Sequence, residues 1–224
     1  MMVVKICGIT RADDAAAAVD AGASAVGFVF WPASPRFIDP YRARAIAAGL
    51  PAFVTAVGVF VNQPAAYVNA VAALVPLGAV QLHGDEPPAY LAGVRRPVIK
   101  AIPVPAPVPV GGDGASPVNA PSLDIWPPRV MLLVDVHDPA RRGGTGRTVD
   151  WSVAAAIASR RRTLLAGGLT PENVADAVTR VRPFGIDVSS GVEQAPGIKD
   201  PARIRALFHA LGGARVGPLG TGAL

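Results

Sequence analysis

Residues 3–30 read VVKICGITRADDAAAAVDAGASAVGFVF. Val3–Cys7 is a short apolar run rich in β-branched residues, and Ala25–Phe30 is a second. The alanine-rich segment between them has helical length, so the stretch is one β–α–β unit. Thr10 is placed to cap the helix, with Asp13 and Asp14 in its first turn, where carboxylates suit the helix dipole. The turn after the first strand, Cys7-Gly8-Ile9-Thr10, does not supply the Gly-x-Gly-x-x-Gly fingerprint of an open dinucleotide-binding sheet.

The same alternation recurs along the chain. Further strand-like runs are Val54–Val61, Ala79–Leu82, Val98–Ala101, Val130–Asp135, Thr163–Ala166 and Ile186–Ser189, which makes eight in all. They are nearly continuously apolar, as strands buried on both faces should be. Helices are expected from Asp39-Pro40 to Leu50, after Asn62-Gln63-Pro64, from Glu86-Pro87-Pro88 to near Val94, over Trp151–Arg160, after Thr170-Pro171-Glu172-Asn173, and over Lys199–Leu211. Residues 102–129 carry eight prolines, so the fifth crossover should be irregular, with at most a short turn near Ser122–Trp126. Eight parallel strands close into a ring that has no edges. The fold expected is a single-domain α/β (βα)8 barrel (TIM barrel) over residues 1–212, with a glycine-rich mobile tail over 213–224.

Composition narrows the function classes. The chain has 224 residues, 51% hydrophobic and 17% charged, which excludes a disordered chain. No window has the roughly 18 apolar residues of a spanning helix, and the N-terminus lacks the features of a signal peptide. A cytoplasmic protein that avoids membranes is expected. The single cysteine and three scattered histidines make no metal site. The net charge of +5 reads mainly as arginine-rich surface, Arg141-Arg142 and Arg160-Arg161-Arg162. Aromatic residues are only 6% and do not interleave with the basic ones, so a nucleic-acid platform is not expected.

In such a barrel the site lies at the C-terminal ends of the strands. Leu165-Ala166-Gly167-Gly168-Leu169-Thr170 and Asp187-Val188-Ser189-Ser190-Gly191-Val192 leave strands seven and eight through small residues. Adjacent loops of that kind can turn backbone N–H groups toward one phosphate. Cys7 ends strand one, with Lys5 about 7 Å behind it on the same face. If that face is the interior, the ammonium can favour the thiolate. Asp135 ends strand six and precedes a glycine-rich loop, His137–Gly146. A potential base and a potential acid on well-separated strands suit proton transfer. Arg36 follows Trp31-Pro32-Ala33-Ser34-Pro35, a stiffened loop that suits a guanidinium held for a carboxylate. His83 is either a ligand contact or a satisfied polar group.

These stretches, with Val57-Gly58-Val59-Phe60-Val61-Asn62, Gln81-Leu82-His83-Gly84-Asp85-Glu86, Gly143-Gly144-Thr145-Gly146 and Gly191-Val192-Glu193 to Pro196-Gly197, resemble the phosphoribosylanthranilate isomerases of tryptophan biosynthesis, in family order along nearly the whole chain. The resemblance implies a cofactor-free Amadori rearrangement of N-(5-phosphoribosyl)anthranilate. It implies Cys7 as general base, Asp135 as general acid and Arg36 as partner of the anthranilate carboxylate. His83, Asp187 and the phosphate loops Gly167-Gly168 and Ser189-Ser190-Gly191 complete the implied substrate contacts, with a monomer or homodimer acting on a small phosphorylated molecule. Asp138 is a rival acid in the loop after strand six. Two other readings are a phosphoribosyl isomerase of the histidine-synthesis type and a catalytically silent phosphate-binding barrel. The first typically presents paired aspartates, against which Cys7 argues; the second is disfavoured by the presence of both Cys7 and Asp135.

Overall fold

A computed structural model describes residues 2–104, 123–136 and 148–213. Eight parallel strands close into a barrel in sequence order: β1 (Val3–Cys7), β2 (Ala25–Val29), β3 (Thr55–Phe60), β4 (Ala79–Leu82), β5 (Val98–Val104), β6 (Met131–Val136), β7 (Thr163–Leu165) and β8 (Gly185–Val188), with β8 pairing back onto β1. Helices α1 (Ala12–Ala21), α2 (Pro40–Ala47), α3 (Ala65–Leu74), α4 (Trp151–Ala158), α5 (Val174–Val181) and α6 (Pro201–Gly213) accompany them. The fourth crossover is a 3-10 helix, Pro88–Gly93, short because prolines crowd its start.

The period of two along each strand sorts side chains into two layers. One set packs outward against the helices, among them Val4, Ile6, Val26, Phe28, Leu132, Val134, Ile186 and Val188. The alternate set fills the ring: Ala25, Val57, Ile99, Ala101, Leu133, Leu164 and Ala166 form one interior cluster. Cys7, Val29 and Val59 form a smaller cluster, with Trp31 against it. Lys5 and Cys7 therefore share the interior face.

Several helix starts differ from expectation. Asp39 and Asp150 cap α2 and α4 as their sequences suggest, each accepting backbone N–H bonds from the first turn. Thr10 does not cap α1; Arg11 occupies the N-cap, and the Thr10 hydroxyl donates instead to the Gly197 carbonyl. The helix after β7 begins at Val174, because Asn173 folds its side chain back onto the Thr170 N–H and the Gly168 carbonyl. Lys199 does not open the last helix. It closes a two-stranded antiparallel ribbon, β9 (Glu193–Ala195) with β10 (Ile198–Lys199), and Asp200 caps α6. No periodicity marks so short a ribbon.

Strand β5 runs on to Val104 and pairs Pro103 with Asp135. Of the proline-rich crossover, the described part after Ser122 is a turn in which the Trp126 N–H bonds the Leu123 carbonyl. Arg161 is no free surface charge: its guanidinium donates to the carbonyls of Leu123, Trp126, Pro127 and Val130. Residues 105–122, the loop 137–147 with Asp138, Arg141-Arg142 and the 143–146 glycine run, and the tail beyond Gly213 lie outside the described residues. Among the described residues, no helix is long and apolar enough to cross a membrane.

Candidate active site

The C-terminal ends of the strands bring the sequence-derived residues into one mouth. Cys7 and Asp135 are each 7% exposed. In the closed ring β7 and β8 stand between their strands, so the two side chains approach from separate parts of the rim. Asp135 points inward: its Oδ2 lies 3.3 Å from Nε2 of His83, which follows β4, two strands away across the ring. Its Oδ1 accepts the Val136 N–H at 2.8 Å. The Gln81 amide meets His83 Nδ1 at 2.9 Å. With that amide donating, the ring proton sits on Nε2 and faces the carboxylate. Among the described residues, Gln81 Oε1 is buried with no partner. Gln81 is a further polar member of the site that sequence reading missed, although its two-residue spacing from His83 puts both on one face.

Lys5 is 1% exposed and lies in register with Asp187 of β8, to which its Nζ bonds at 2.8 Å. Burial alone would lower the Lys5 pKa, but Asp187 and Cys7 raise it above the usual lysine value. Lys5 does favour ionisation of Cys7, but burial outweighs it. Burial pushes the thiol pKa up; Lys5 pulls it down, but Asp187, whose charge opposes ionisation, already holds that ammonium. The thiol pKa therefore stands above its usual value. Asp187 is thus the partner of Lys5, a role its sequence neighbours did not reveal. Gly27 makes room for this group, since a Cβ there would lie 2.7 Å from the Cys7 sulfur and 3.0 Å from Lys5 Nζ.

The loops after β7 and β8 touch through their backbones. A Cβ on Gly191 would lie 1.8 Å from the Leu169 carbonyl oxygen. Gly167 and Gly168 have φ of 83° and 59°, the left-handed region that glycine enters without strain. Among the described turns and loops, their N–H groups donate to no carbonyl. From outside, Arg203 of α6 holds the Gly191 carbonyl at 2.9 Å and Asn173 holds that of Gly168 at the same distance. Ser189 does not extend free into the mouth: its hydroxyl donates to the Cys7 carbonyl. Ser190 opens the 3-10 turn Ser190–Val192.

Arg36 lies across Gly8, where a Cβ would come within 2.6 Å of its Cδ. Its Nε and one terminal nitrogen donate to the two oxygens of Glu193 at 2.9 and 2.7 Å. Glu193 also accepts from Lys199 Nζ at 2.8 Å. Burial would raise the Glu193 pKa, but the hydrogen bonds from Arg36 and Lys199 and their charges outweigh it and hold the carboxyl below its usual range. Burial lowers the Lys199 pKa despite that partner. Glu193 and Lys199 were not among the site residues expected from sequence, because the ribbon that delivers them has no sequence period.

Among the described residues, no three His, Cys, Asp or Glu side chains are arranged to hold a metal ion. The site presents a thiol, a carboxyl, a fixed guanidinium and two abutting glycine-bearing loops. That set suits proton transfer on a phosphorylated, carboxylate-bearing molecule.

Comparisons with known proteins point the same way. The sequence profile of the family described as N-(5'phosphoribosyl)anthranilate (PRA) isomerase matches residues 4–210. The N-(5'-phosphoribosyl)anthranilate isomerase of Geobacter metallireducens is 50% identical over 211 residues, spanning 93% of this chain and 98% of that protein. The crystal structure of phosphoribosyl anthranilate isomerase from Thermotoga maritima superposes with a TM-score of 0.83 at 42% identity, covering 95% of this chain and all of that one. A crystal structure of phosphoribosyl anthranilate isomerase in complex with reduced 1-(o-carboxyphenylamino)-1-deoxyribulose 5-phosphate superposes with a TM-score of 0.80 at 42% identity, over 95% of this chain and 100% of that one. By sequence and by fold, the chain belongs to the N-(5'-phosphoribosyl)anthranilate isomerase family.

Proposed function

We propose that this chain catalyses the Amadori rearrangement of N-(5-phosphoribosyl)anthranilate to 1-(2-carboxyphenylamino)-1-deoxyribulose 5-phosphate, the isomerase step of tryptophan biosynthesis. One observation carries the reading: the chain's single thiol, at the end of β1, and the Asp135 carboxyl, at the end of β6, open into one mouth beside the two abutting small-residue loops.

The protonated Asp135 carboxyl gives its proton to the ribose ring oxygen. The C1–O bond breaks, and the anilino nitrogen's lone pair forms the C1=N bond of a protonated Schiff base. Cys7, as thiolate, takes the C2 proton, and the C2–H electrons flow through C1 to the nitrogen. The resulting enolamine is reprotonated at C1 and loses its O2 proton, leaving the C2 ketone. Lys5 supplies the countercharge beside the sulfur. The imidazole of His83 holds the Asp135 carboxyl in place. Gly167, Gly168, Ser190 and Gly191 take the phosphate through backbone N–H groups, and Arg36 takes the anthranilate carboxylate through its free edge. We place the enzyme in the cytoplasm, as a monomer or homodimer that uses no nucleic-acid partner.

The test is the loss of phosphoribosylanthranilate fluorescence on adding purified protein. Cys7→Ala and Asp135→Asn should each lower turnover about 10²–10⁴-fold, or roughly 2.7–5.5 kcal/mol of barrier. Turnover at the wild-type rate in both variants refutes the assignment.

A further inference from the structure

The side of the mouth built by β1, the Arg36 loop and the β9–β10 ribbon holds more charge than the reaction uses. Three cations, Lys5, Arg36 and Lys199, meet two carboxylates, Asp187 and Glu193. Lys5 and Asp187 neutralise each other. The remaining triad has one carboxylate between two cations and carries a net +1. It is almost dry: the side chains of Arg36, Glu193 and Lys199 are 11%, 5% and 0% exposed.

The geometry within the triad is directional. A guanidinium has five N–H groups in a fixed plane. Glu193 occupies the edge formed by Nε and one terminal nitrogen. The edge formed by the two terminal nitrogens keeps its fork, and among the described residues nothing bonds to it. Glu193 itself cannot swing away. Its Oε1 also accepts from Lys199 Nζ at 2.8 Å and from the Gly197 N–H at 3.2 Å. Lys199 is anchored in turn by its Nζ on the Ser189 carbonyl at 3.2 Å and its N–H on Asp14 at 3.1 Å. The ribbon Glu193–Lys199 thus works as a bracket. It grips one edge of Arg36, leaves the opposite edge unbonded among the described residues, and supplies a second cation, so that the grip does not cancel the charge.

We propose that Glu193 is a positioning residue for Arg36, backed by Lys199, and that this bracket sets the enzyme's preference for substrates bearing a carboxylate on the aryl group. A free arginine would lose side-chain entropy on binding, and the bracket removes that cost beforehand. The inference rests on the reading of Arg36 as the carboxylate's partner, and the experiment separates the two.

Binding of two ligands is measured by calorimetry: the product, 1-(2-carboxyphenylamino)-1-deoxyribulose 5-phosphate, and its analogue lacking the ring carboxylate. Arg36→Met should weaken the product about tenfold to a hundredfold and the analogue no more than about threefold, as loss of a charge-assisted bond predicts. Glu193→Gln should show the same selective loss, and Arg36→Met/Glu193→Gln should be no weaker than Arg36→Met alone. Glu193→Asp keeps the charge against Lys199 but cannot reach both nitrogens. It should fold if Glu193→Gln does not, and should show a smaller loss of the same selectivity. If Arg36→Met weakens both ligands alike, the carboxylate reading fails. If Arg36→Met is selective but the Glu193 variants weaken both ligands alike, or neither, the bracket is only structural and the inference falls.

Discussion

Replacing Gly191 by alanine tests the joined phosphate loops with one added methyl group. Its backbone does not lie in the left-handed region, so an alanine can take the same φ and ψ. Any effect is therefore steric. The new Cβ would sit 1.8 Å from the Leu169 oxygen, 2.8 Å from the Leu169 carbonyl carbon and 3.2 Å from Thr170 Cα. Ordinary contact begins near 3.4 Å, so the deficit is roughly 1.6 Å, and both sides of it are backbone. No rotamer relieves it; the two loops must part. Overpacking of this kind costs about 1–3 kcal/mol, or about 2–12 °C of melting temperature for a chain this size. A shift of more than an ångström also carries N–H donors out of the 2.7–3.2 Å range on whichever loop moves. Losing one charge-assisted bond to phosphate costs about 1.5–3 kcal/mol, so KM should rise about tenfold to a hundredfold. Inorganic phosphate should lose potency as a competitive inhibitor by a similar factor. The assay is the fluorescence decrease over a range of substrate concentrations, with Gly212→Ala as control, since a Cβ there meets nothing within 4 Å. A Gly191→Ala protein with wild-type KM, phosphate inhibition and melting temperature would refute the argument that these loops abut and together hold the phosphate.

Two further perturbations probe the buried charges. Lys5→Met strands Asp187 without its cation and should destabilise the fold by about 3–5 kcal/mol in denaturant melts. It should also move the pH profile of Cys7 alkylation to higher pH, because Lys5 lowers the thiol pKa; an unmoved profile would remove Lys5 from the site. In the wild type burial makes the thiolate the minor form at neutral pH, so the rate of Cys7 alkylation should rise as pH increases from 7 toward 9. Glu193 is held below its ordinary value of 4.5, so the unfolded chain binds its proton first as pH falls. The stability this contributes is present above about pH 4.5 and is lost as pH drops through the folded-state pKa. Urea melts should therefore show the wild-type advantage over Glu193→Gln shrinking below pH 4.5; a pH-independent gap between them would contradict the proposed ionisation.

Much of this protein was legible in the chain itself. Strands buried on both faces must be apolar, and crossovers must be long enough to return, so eight short runs with helical spacers announce a closed ring before any coordinates. The strand ends then name Cys7, Asp135, Gly167-Gly168 and Ser189-Ser190-Gly191, because position along a strand is a local property. Alternation even puts Lys5 on the same face as Cys7. What lay beyond local reading was how charges pair once strands distant in sequence become neighbours. Lys5 and Asp187 are 182 positions apart and meet only because β8 closes on β1. That closure gives the ammonium that favours the Cys7 thiolate a carboxylate partner, while burial raises the thiol pKa above its usual value. Arg36 and Glu193 are 157 positions apart, joined by a ribbon too short to carry a period. A sequence names the groups that line a site; whether a charge there is free or already spent depends on which other charges the closed ring brings within 3 Å, in surroundings too dry to screen them.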